Sequence, residues 1–293
     1  MTQVGVIFIR AEYLGFLIRK GKIKEKESSR RSEQMSNYKL PKVWQWQNEN
    51  DSISGNRPTA GSRFEQTLPV GTAPFQLYSL GTPNGIKIPI MFEELKELGV
   101  AEVDYDLYKI DISQGDQFGS DFSAINPNGK IPALVDQSLQ VNVFESGAIL
   151  LYLAEKFGQL LPTELHARTE TLNWLFWQVG AAPFVGGGFG HFFEYAPEPM
   201  EYPINRYTME TKRQLDLLDQ TLANRAYIAG DNYSIADIAI WSWYGEIMLG
   251  RSYSGSAEFL SVEEYPHLMA WSQKIAERPA VKRGLAVTYQ PID

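Results

Sequence analysis

Cysteine is absent from this chain of 293 residues, and histidine occurs only three times. Without cysteine the protein can hold no disulfide, no thiolate-bound zinc, no iron–sulfur cluster and no cysteine nucleophile. Three histidines, at positions 166, 191 and 267, are too few to predict a histidine-built metal site. The lack of cysteine is typical of a cytoplasmic protein, and this is the predicted location.

Positive charge and long apolar runs are also scarce. The formal net charge is −8, which argues against nucleic-acid binding, because that requires a basic surface. The apolar stretch at the start of the chain is interrupted by Arg10 and Glu12 and is too short to cross a bilayer. With 44% hydrophobic and 21% charged residues, the composition predicts a folded globular protein rather than a membrane or disordered one.

The first 74 residues lack the periodicity of regular secondary structure. Residues 1–34 carry an excess of basic side chains and predict a disordered tail, or translation from upstream of Met35; a membrane-surface anchor is the alternative. Residues 35–74 predict an extended arm, and Trp44 and Trp46 predict that it docks on a neighbouring surface.

The remaining chain predicts two domains of different character. Residues 75–160 alternate strand and helix patterns, which predicts an α/β domain with strands at 75–80, 103–108, 131–135 and 141–144. Residues 165–290 show only helical spacing, which predicts an all-α domain. In that domain the segment 234–237 (SIAD) predicts a capping box, which serves folding rather than catalysis.

The first chemically informative segment is the turn 79–85 (SLGTPNG), which joins a strand to a helix. Free N–H groups at a helix start favour an anion and would lower the pKa of a bound thiol. Thr82 and Asn84 can add side-chain hydrogen bonds to that sulfur. Taken alone, an ordinary Thr/Asn helix cap explains this turn better.

The second segment is 130–133 (KIPA). A proline at the start of a buried strand lies at an edge or a bulge. If the Ile131–Pro132 bond is cis, the polar groups of Ile131 can pair with an extended peptide-like ligand; the alternative is a strand that begins at Pro132.

The third segment is 144–149 (FESGAI), where Ser146 is predicted to cap a helix whose N-terminus suits a carboxylate. Glu145 beside it can hold an ammonium group. An anion site next to a cation site matches an amino-acid head group, although a routine helix cap has the same sequence.

In this order the three segments resemble the glutathione transferase superfamily. The resemblance is strongest to the bacterial nu-class glutathione-dependent disulfide-bond oxidoreductases, and it covers about residues 42–283. It rests on the segments 82–85 (TPNG), 115–118 (GDQF), 126–133 (NPNGKIPA), 144–156 (FESGAILLYLAEK) and 173–177 (NWLFW). The resemblance implies a thioredoxin-like α/β domain, an all-helical C-terminal domain, glutathione as co-substrate, no metal and a homodimer.

The resemblance also implies a role for individual residues. Thr82 and Asn84, with Pro83 between them, would hold the glutathione sulfur. The rest of this glutathione would be bound by Gln117 and Lys130 at its glycyl end, Ile131 at its cysteinyl backbone, and Glu145 with Ser146 at its γ-glutamyl head. A second glutathione, or the disulfide of both, would be bound by Asn56 and Arg206.

One position departs from the family pattern. A glutamine is expected directly before the segment 180–183 (GAAP), but Val179 occupies that position and Gln178 precedes it. The departure predicts that a contact to the second thiol is missing.

In this family the absence of cysteine acquires a chemical meaning. A protein of this kind that exchanges disulfides must take both thiols from its ligand. We therefore expect a glutathione-dependent reductase of a small disulfide, with organic hydroperoxide reduction as a side activity. The alternatives are a conventional transferase that conjugates glutathione to electrophiles, and a non-catalytic glutathione-binding scaffold.

The glycine-rich segment 186–191 (GGGFGH) lacks the strand and lysine of a phosphate-binding loop. It predicts instead a close approach of helices or a ligand. The nearby aromatic residues line a second-substrate pocket in one interpretation and belong to the core in the other; these are His191, Phe192, Phe193, Tyr195 and Tyr207.

Overall fold

The computed structural model describes residues 39–46 and 57–292. The chain divides into two units, Met1–Glu49 and Asn50–Asp293. In the first unit the described residues form no helix or strand, and Trp44 and Trp46 are 63% and 45% exposed. The predicted docking of these tryptophans stays a prediction. The predictions for residues 1–34 and for Asn56 lie outside the described residues.

The second unit begins with a mixed four-stranded sheet in the order β2-β1-β3-β4. The parallel pair is β1 with β2, whereas β3 runs antiparallel to both β1 and β4. Every residue of β1 (FQLYS), including the polar Gln76 and Ser79, is buried because β1 is an inner strand and helices cover the sheet. The strands are β1 (Phe75–Ser79), β2 (Tyr105–Lys109), β3 (Ala133–Asp136) and β4 (Val141–Phe144).

Three α-helices belong to this α/β half: α1 (Lys87–Glu97), α2 (Ser120–Ile125) and α3 (Ser146–Phe157). A 3₁₀ turn, Asp116–Phe118, precedes α2. Apolar residues of α1 and α3 pack with β1 into the main core. The predicted strands and helices occur in the predicted order, but the structure adds α2 where the sequence predicts a loop, and β2 and β3 begin at Tyr105 and Ala133 rather than at Val103 and Ile131.

Residues 57–74, the described end of the N-terminal arm, lie along the α/β half. The N–H of Arg63 donates to the carbonyl of Phe118 at 2.7 Å, and the N–H of Ser120 donates to the carbonyl of Phe64 at 3.0 Å. The hydroxyl of Tyr78 donates to the carbonyl of Pro69 at 2.8 Å. These bonds satisfy backbone groups that an irregular segment would otherwise leave unpaired, and they hold this part of the arm in place.

The second half is helical throughout. The helices are α4 (Leu165–Pro183), α5 (Glu201–Leu222), α6 (Ile235–Ile240), α7 (Glu246–Met248), α8 (Ser256–Phe259), α9 (Pro266–Ala276) and α10 (Pro279–Leu285), with π-helical segments at Phe184–Tyr195 and Trp241–Gly245 and a 3₁₀ turn at Val262–Glu264. The predicted capping box opens α6, where the N–H of Ser234 donates to Asp237 at 3.0 Å. The sheet followed by helices confirms the predicted fold class; the predicted domain bounds stay predictions.

The two halves share one hydrophobic core and are joined by an ion pair. The guanidinium of Arg278, just before α10, binds both carboxylate oxygens of Glu94 on α1 at 2.6 Å. Glu94 is almost fully buried, so this bidentate pair fixes α10 against α1.

The glycine-rich segment lies in the first π-helical segment and brings aromatic rings close to its backbone. A Cβ on Gly186 would lie 2.5 Å from the ring of Trp243, and a Cβ on Gly188 would overlap the ring of Tyr207. The predicted close approach of helices is therefore confirmed.

Candidate functional site

A buried polar cluster lies at the junction of the two halves, beneath the turn between β1 and α1. Its centre is the side-chain oxygen of Asn84. This Oδ1 accepts a hydrogen bond from Trp243 Nε1 at 2.8 Å and from Lys87 Nζ at 3.0 Å, and a longer one from Ser146 Oγ at 3.4 Å. Because all three partners donate, the carboxamide orientation is fixed with its oxygen inward.

Lys87 supplies the positive charge of this cluster. Its side chain is only 1% exposed and donates to Asn84 Oδ1, to Ser146 Oγ at 3.1 Å and to Gln178 Oε1 at 2.9 Å. Burial lowers the pKa of Lys87 to about 7, and the attraction of Glu145 only partly opposes this. No aspartate or glutamate among the described residues forms an ion pair with it.

Thr82 lies in the same turn as Asn84. Its hydroxyl oxygen accepts a hydrogen bond from the N–H of Gly85 at 3.3 Å, which leaves the hydroxyl proton available to donate outward. The residue that caps α1 is Ile86, whose side chain makes no cap hydrogen bond. The Thr82 oxygen therefore caps the turn that leads into α1, as the Thr/Asn cap alternative expects, although not the first residue of α1 itself; the Thr82 hydroxyl proton and the Asn84 amide remain as neighbouring donors.

Ser146 does not cap α3, so that prediction is wrong. Glu145 occupies the cap position with a left-handed φ of 71°, and Ser146 is the first helical residue. The serine side chain turns away from its own helix because Lys87 Nζ and Asn84 Oδ1 offer it partners. The carboxylate of Glu145 is exposed and accepts a long hydrogen bond from Asn128 at 3.5 Å.

The segment before β3 lies next to Glu145. The peptide bond between Ile131 and Pro132 is cis, and Ala133 pairs with Phe144, which brings Ile131 across from the end of β4. Lys130 is exposed, and its carbonyl accepts a hydrogen bond from the side chain of Asn126 at 2.5 Å. The predicted residues Ile131, Lys130, Glu145 and Ser146 are thus brought together.

Gln117 lies in the 3₁₀ turn Asp116–Phe118 and is only 2% exposed. Its Nε2 donates to the carbonyl of Ile112 at 3.5 Å. Close to it, the guanidinium of Arg63 lies 3.4 Å above the ring of Phe118. Desolvation and the nearby Arg63 charge lower the pKa of Lys130, so Arg63 and Lys130 form a cationic pair at the predicted glycyl end.

Arg206 is exposed on α5 and takes no part in the hydrogen bonds of the Asn84 cluster. Its charge acts on Glu210, one turn further along the same helix. The neighbouring Tyr207 stacks on Phe192 with ring centroids 5.7 Å apart and planes at 9°. Since Tyr207 also lies on Gly188, the aromatic pair is part of the wall built by the first π-helical segment.

Sequence reasoning missed Lys87, Trp243 and Arg63, and it missed the contact between Gln178 and Lys87. Lys87 interrupts an apolar run between Ile86 and Ile88, and this is the one signal that a charged group is buried there. Gln178 is fully buried, and its Oε1 accepts from Lys87, whereas its Nε2 has no acceptor among the described residues. Whether the shifted glutamine costs a contact to a second thiol stays a prediction.

Within residues 39–46 and 57–292, no cluster of histidine, aspartate and glutamate is suited to a metal ion. In the same part of the chain, no helix has the length and apolar character needed to cross a bilayer.

Known proteins resemble this chain over both halves. Models of the glutathione S-transferase N-terminal and C-terminal domains match residues 73–155 and 205–279. Escherichia coli YghU, a disulfide-bond oxidoreductase, is 56% identical over 258 residues, which is 85% of this chain and 88% of YghU. The structure of glutathione transferase YghU from Streptococcus pneumoniae, complexed with glutathione, is 63% identical, with a TM-score of 0.84 over 87% of this chain and 100% of that one.

A third relative bears on ligand number. The glutathione transferase from Burkholderia graminis, with two glutathione molecules bound per subunit, is 38% identical, with a TM-score of 0.66 over 72% of this chain and 87% of that one. Identity at this level over most of both chains establishes common descent. The chain belongs to the glutathione transferase family.

Proposed function

We propose that this protein is a cytoplasmic, homodimeric, glutathione-dependent disulfide-bond reductase of the nu-class type that uses two bound glutathione thiols in place of protein cysteines. One observation carries the proposal: Asn84 Oδ1 is held inward by three donors, so its Nδ2 and the Thr82 hydroxyl are left as donors for a thiolate. Support comes from the relatives, since YghU is a disulfide-bond oxidoreductase and two structures hold glutathione.

In this proposal the first glutathione lies along residues at the N-terminus of α3 and in the segment before β3. Ser146 and Glu145 hold the γ-glutamyl carboxylate and ammonium, because one offers a hydroxyl at a helix N-terminus and the other a negative charge. Ile131 pairs with the cysteinyl backbone. The cations at the far end, Lys130 and Arg63, suit the glycyl carboxylate, with Gln117 beside them.

The second glutathione would lie towards the helical half, with its carboxylate at Arg206 and with Asn56 from the arm. The stacked rings of Phe192 and Tyr207 would form an apolar wall beside this second glutathione. Proximity of two thiols is the main contribution of the protein, because it converts an encounter of three molecules into reaction within one complex.

The reaction balances without any protein thiol. The first glutathione loses its proton, and its thiolate attacks one sulfur of the substrate disulfide; a sulfur–sulfur bond forms as the substrate bond breaks, and the leaving thiolate takes up a proton. The second glutathione thiolate then attacks the glutathione sulfur of the mixed disulfide. Two glutathiones are oxidised to one glutathione disulfide, and the substrate is reduced to two thiols. An organic hydroperoxide reacts likewise, with an alcohol and water as the products.

The aromatic wall favours a second candidate, conjugation of glutathione to apolar electrophiles, since such pockets are largely aromatic. Conjugation needs one activated thiolate, whereas disulfide reduction needs two thiols. Calorimetric titration with reduced glutathione, followed by a turnover assay on a small disulfide and on an aryl halide, separates the candidates. Two glutathiones per subunit with disulfide turnover supports the reductase; one glutathione with conjugation only supports the transferase. A chain that retains glutathione but turns over neither substrate is a scaffold.

A further inference from the structure

Lys87 is unusual among the described residues because its charged side chain is buried. An ammonium that is 1% exposed is costly to bury, and such a cation is normally paired with a carboxylate. Here its hydrogen-bond partners among the described residues are neutral: the side-chain oxygens of Asn84, Ser146 and Gln178, at 2.9–3.1 Å. The cost of this arrangement calls for a compensating negative charge.

The geometry decides whether Lys87 touches a ligand. An ammonium group has three protons, and the three oxygen partners use all of them. With no proton left and almost no exposed surface, Lys87 is not placed to contact glutathione directly. Its influence must pass through Asn84 and Ser146, which lie between it and the ligand groups proposed above.

Both intermediaries are oriented by the lysine. Its bond to Asn84 Oδ1, together with that of Trp243, turns the Nδ2 donors of Asn84 towards the proposed sulfur position. Its bond to Ser146 Oγ occupies an acceptor position of that hydroxyl, whose one proton donates to Asn84 Oδ1 at 3.4 Å in the free protein and would turn from this long bond to donate to a carboxylate. One cation therefore polarises donors for two negative groups of the ligand, the thiolate and the γ-glutamyl carboxylate.

We propose that Lys87 is the positioning residue that sets the acidity of the bound glutathione thiol, by orienting and polarising the Asn84 carboxamide and by placing behind the thiolate a positive charge that forms no direct ion pair with a described carboxylate. This inference rests on the proposed binding of glutathione at Thr82 and Asn84. The thiolate supplies the negative charge that the buried cation lacks, so the charged forms of both groups stabilise each other. The lowered pKa of Lys87 in the free protein is consistent with this, because binding an anion would favour its protonated form.

The chain itself makes the decisive measurement simple. Because it contains no cysteine, the only thiol in a mixture of protein and glutathione belongs to the ligand. The ultraviolet absorbance of the thiolate, recorded against pH with the glutathione site saturated, gives the pKa of the bound thiol directly. The pKa of the bound thiol would not change if Lys87 only stabilised the fold and the glutathione site stayed intact.

The test compares wild type with Lys87→Met, which keeps the length of the side chain and removes its charge. We expect the bound thiol pKa to rise by about one unit. The specificity constant for a small disulfide at neutral pH should fall about tenfold and recover at alkaline pH. The matched control is Lys156→Met: Lys156 binds Asp136 and Ser138 at the opposite end of β3, so its loss should leave the thiol pKa unchanged.

A double-mutant cycle with Asn84→Ala tests the path. If Lys87 acts through Asn84, the effects of the two substitutions on the thiol pKa will be less than additive. Additive effects, or an unchanged thiol pKa in Lys87→Met, overturn the inference about Lys87. The proposed function still stands in that case if the wild-type protein reduces a small disulfide. If Lys87→Met does not fold, carbon-13 NMR of the lysine side chains in wild type replaces it. One lysine should titrate near neutrality without glutathione and at higher pH with it; no such change also overturns the inference.

Discussion

The buried lysine makes a quantitative prediction about stability that needs no ligand. Its ordinary pKa of 10.5 applies to the unfolded chain, whereas in the folded protein the pKa is about 7. Between these values the unfolded state binds one more proton than the folded state. The free energy of unfolding must therefore rise with pH across this window, because deprotonation relieves the cost of a buried charge.

The size of the effect follows from the same two values. Below pH 6 the lysine is protonated in both states and contributes no slope. Between pH 7 and pH 9 it should add about 2 kcal/mol to the free energy of unfolding of wild type, since a full unit of pH is equivalent to about 1.4 kcal/mol once the folded group has lost its proton. Lys87→Met has no group to titrate and lacks this gain.

Urea unfolding of the glutathione-free protein at pH 6, 7, 8 and 9 provides the assay, with the m-value as a check that the unfolded states are comparable. The difference between wild type and Lys87→Met should stay constant from pH 6 to just below pH 7 and then shift by about 2 kcal/mol in favour of wild type by pH 9. The other ionisable groups cancel in this difference, and Lys156→Met controls for the loss of a lysine elsewhere. Parallel curves for wild type and Lys87→Met over the whole range would refute a lowered pKa at this position.

The remaining predictions concern the proposed ligand contacts. Ser146→Ala should weaken glutathione binding by about 1–2 kcal/mol, measured by calorimetry, because a hydrogen bond to a carboxylate is lost; an unchanged affinity would remove Ser146 from the head-group site. Thr82→Ala should lower turnover of a small disulfide at neutral pH more than it lowers glutathione affinity, since the hydroxyl matters most to the thiolate; equal turnover would exclude Thr82 from the mechanism. Arg206→Ala should spare the first glutathione and impair the second, resolved by titration stoichiometry, and equal loss of both would contradict this division.

What the sequence could predict of the site was local. Thr82 and Asn84 stand two residues apart in one turn, and Glu145 and Ser146 are adjacent, so short motifs were enough to single them out. The order of strands and helices followed from hydrophobic periodicity for the same reason. Even here the preference of serine for cap positions misled, because a buried lysine from another helix competes for its hydroxyl.

The parts that could not be predicted depend on contacts distant in sequence. Gln178 lies 91 residues from Lys87, and Trp243 lies 159 residues from Asn84, so no local pattern relates them. A lysine in an apolar run signals an anomaly, but only the packing of α4 and the second π-helical segment shows what surrounds it. Charge–dipole networks of this kind are set by tertiary structure.

The indole of Trp243 reaches from the helical half to Asn84 in the α/β half, and this has a consequence for how the protein matures. A nascent chain that has folded only as far as α3 would present glutathione with a carboxamide that is free to rotate and a lysine open to water. If glutathione binds as proposed, a copy that ends before Trp243 would lack the indole donor that orients Asn84 towards the sulfur.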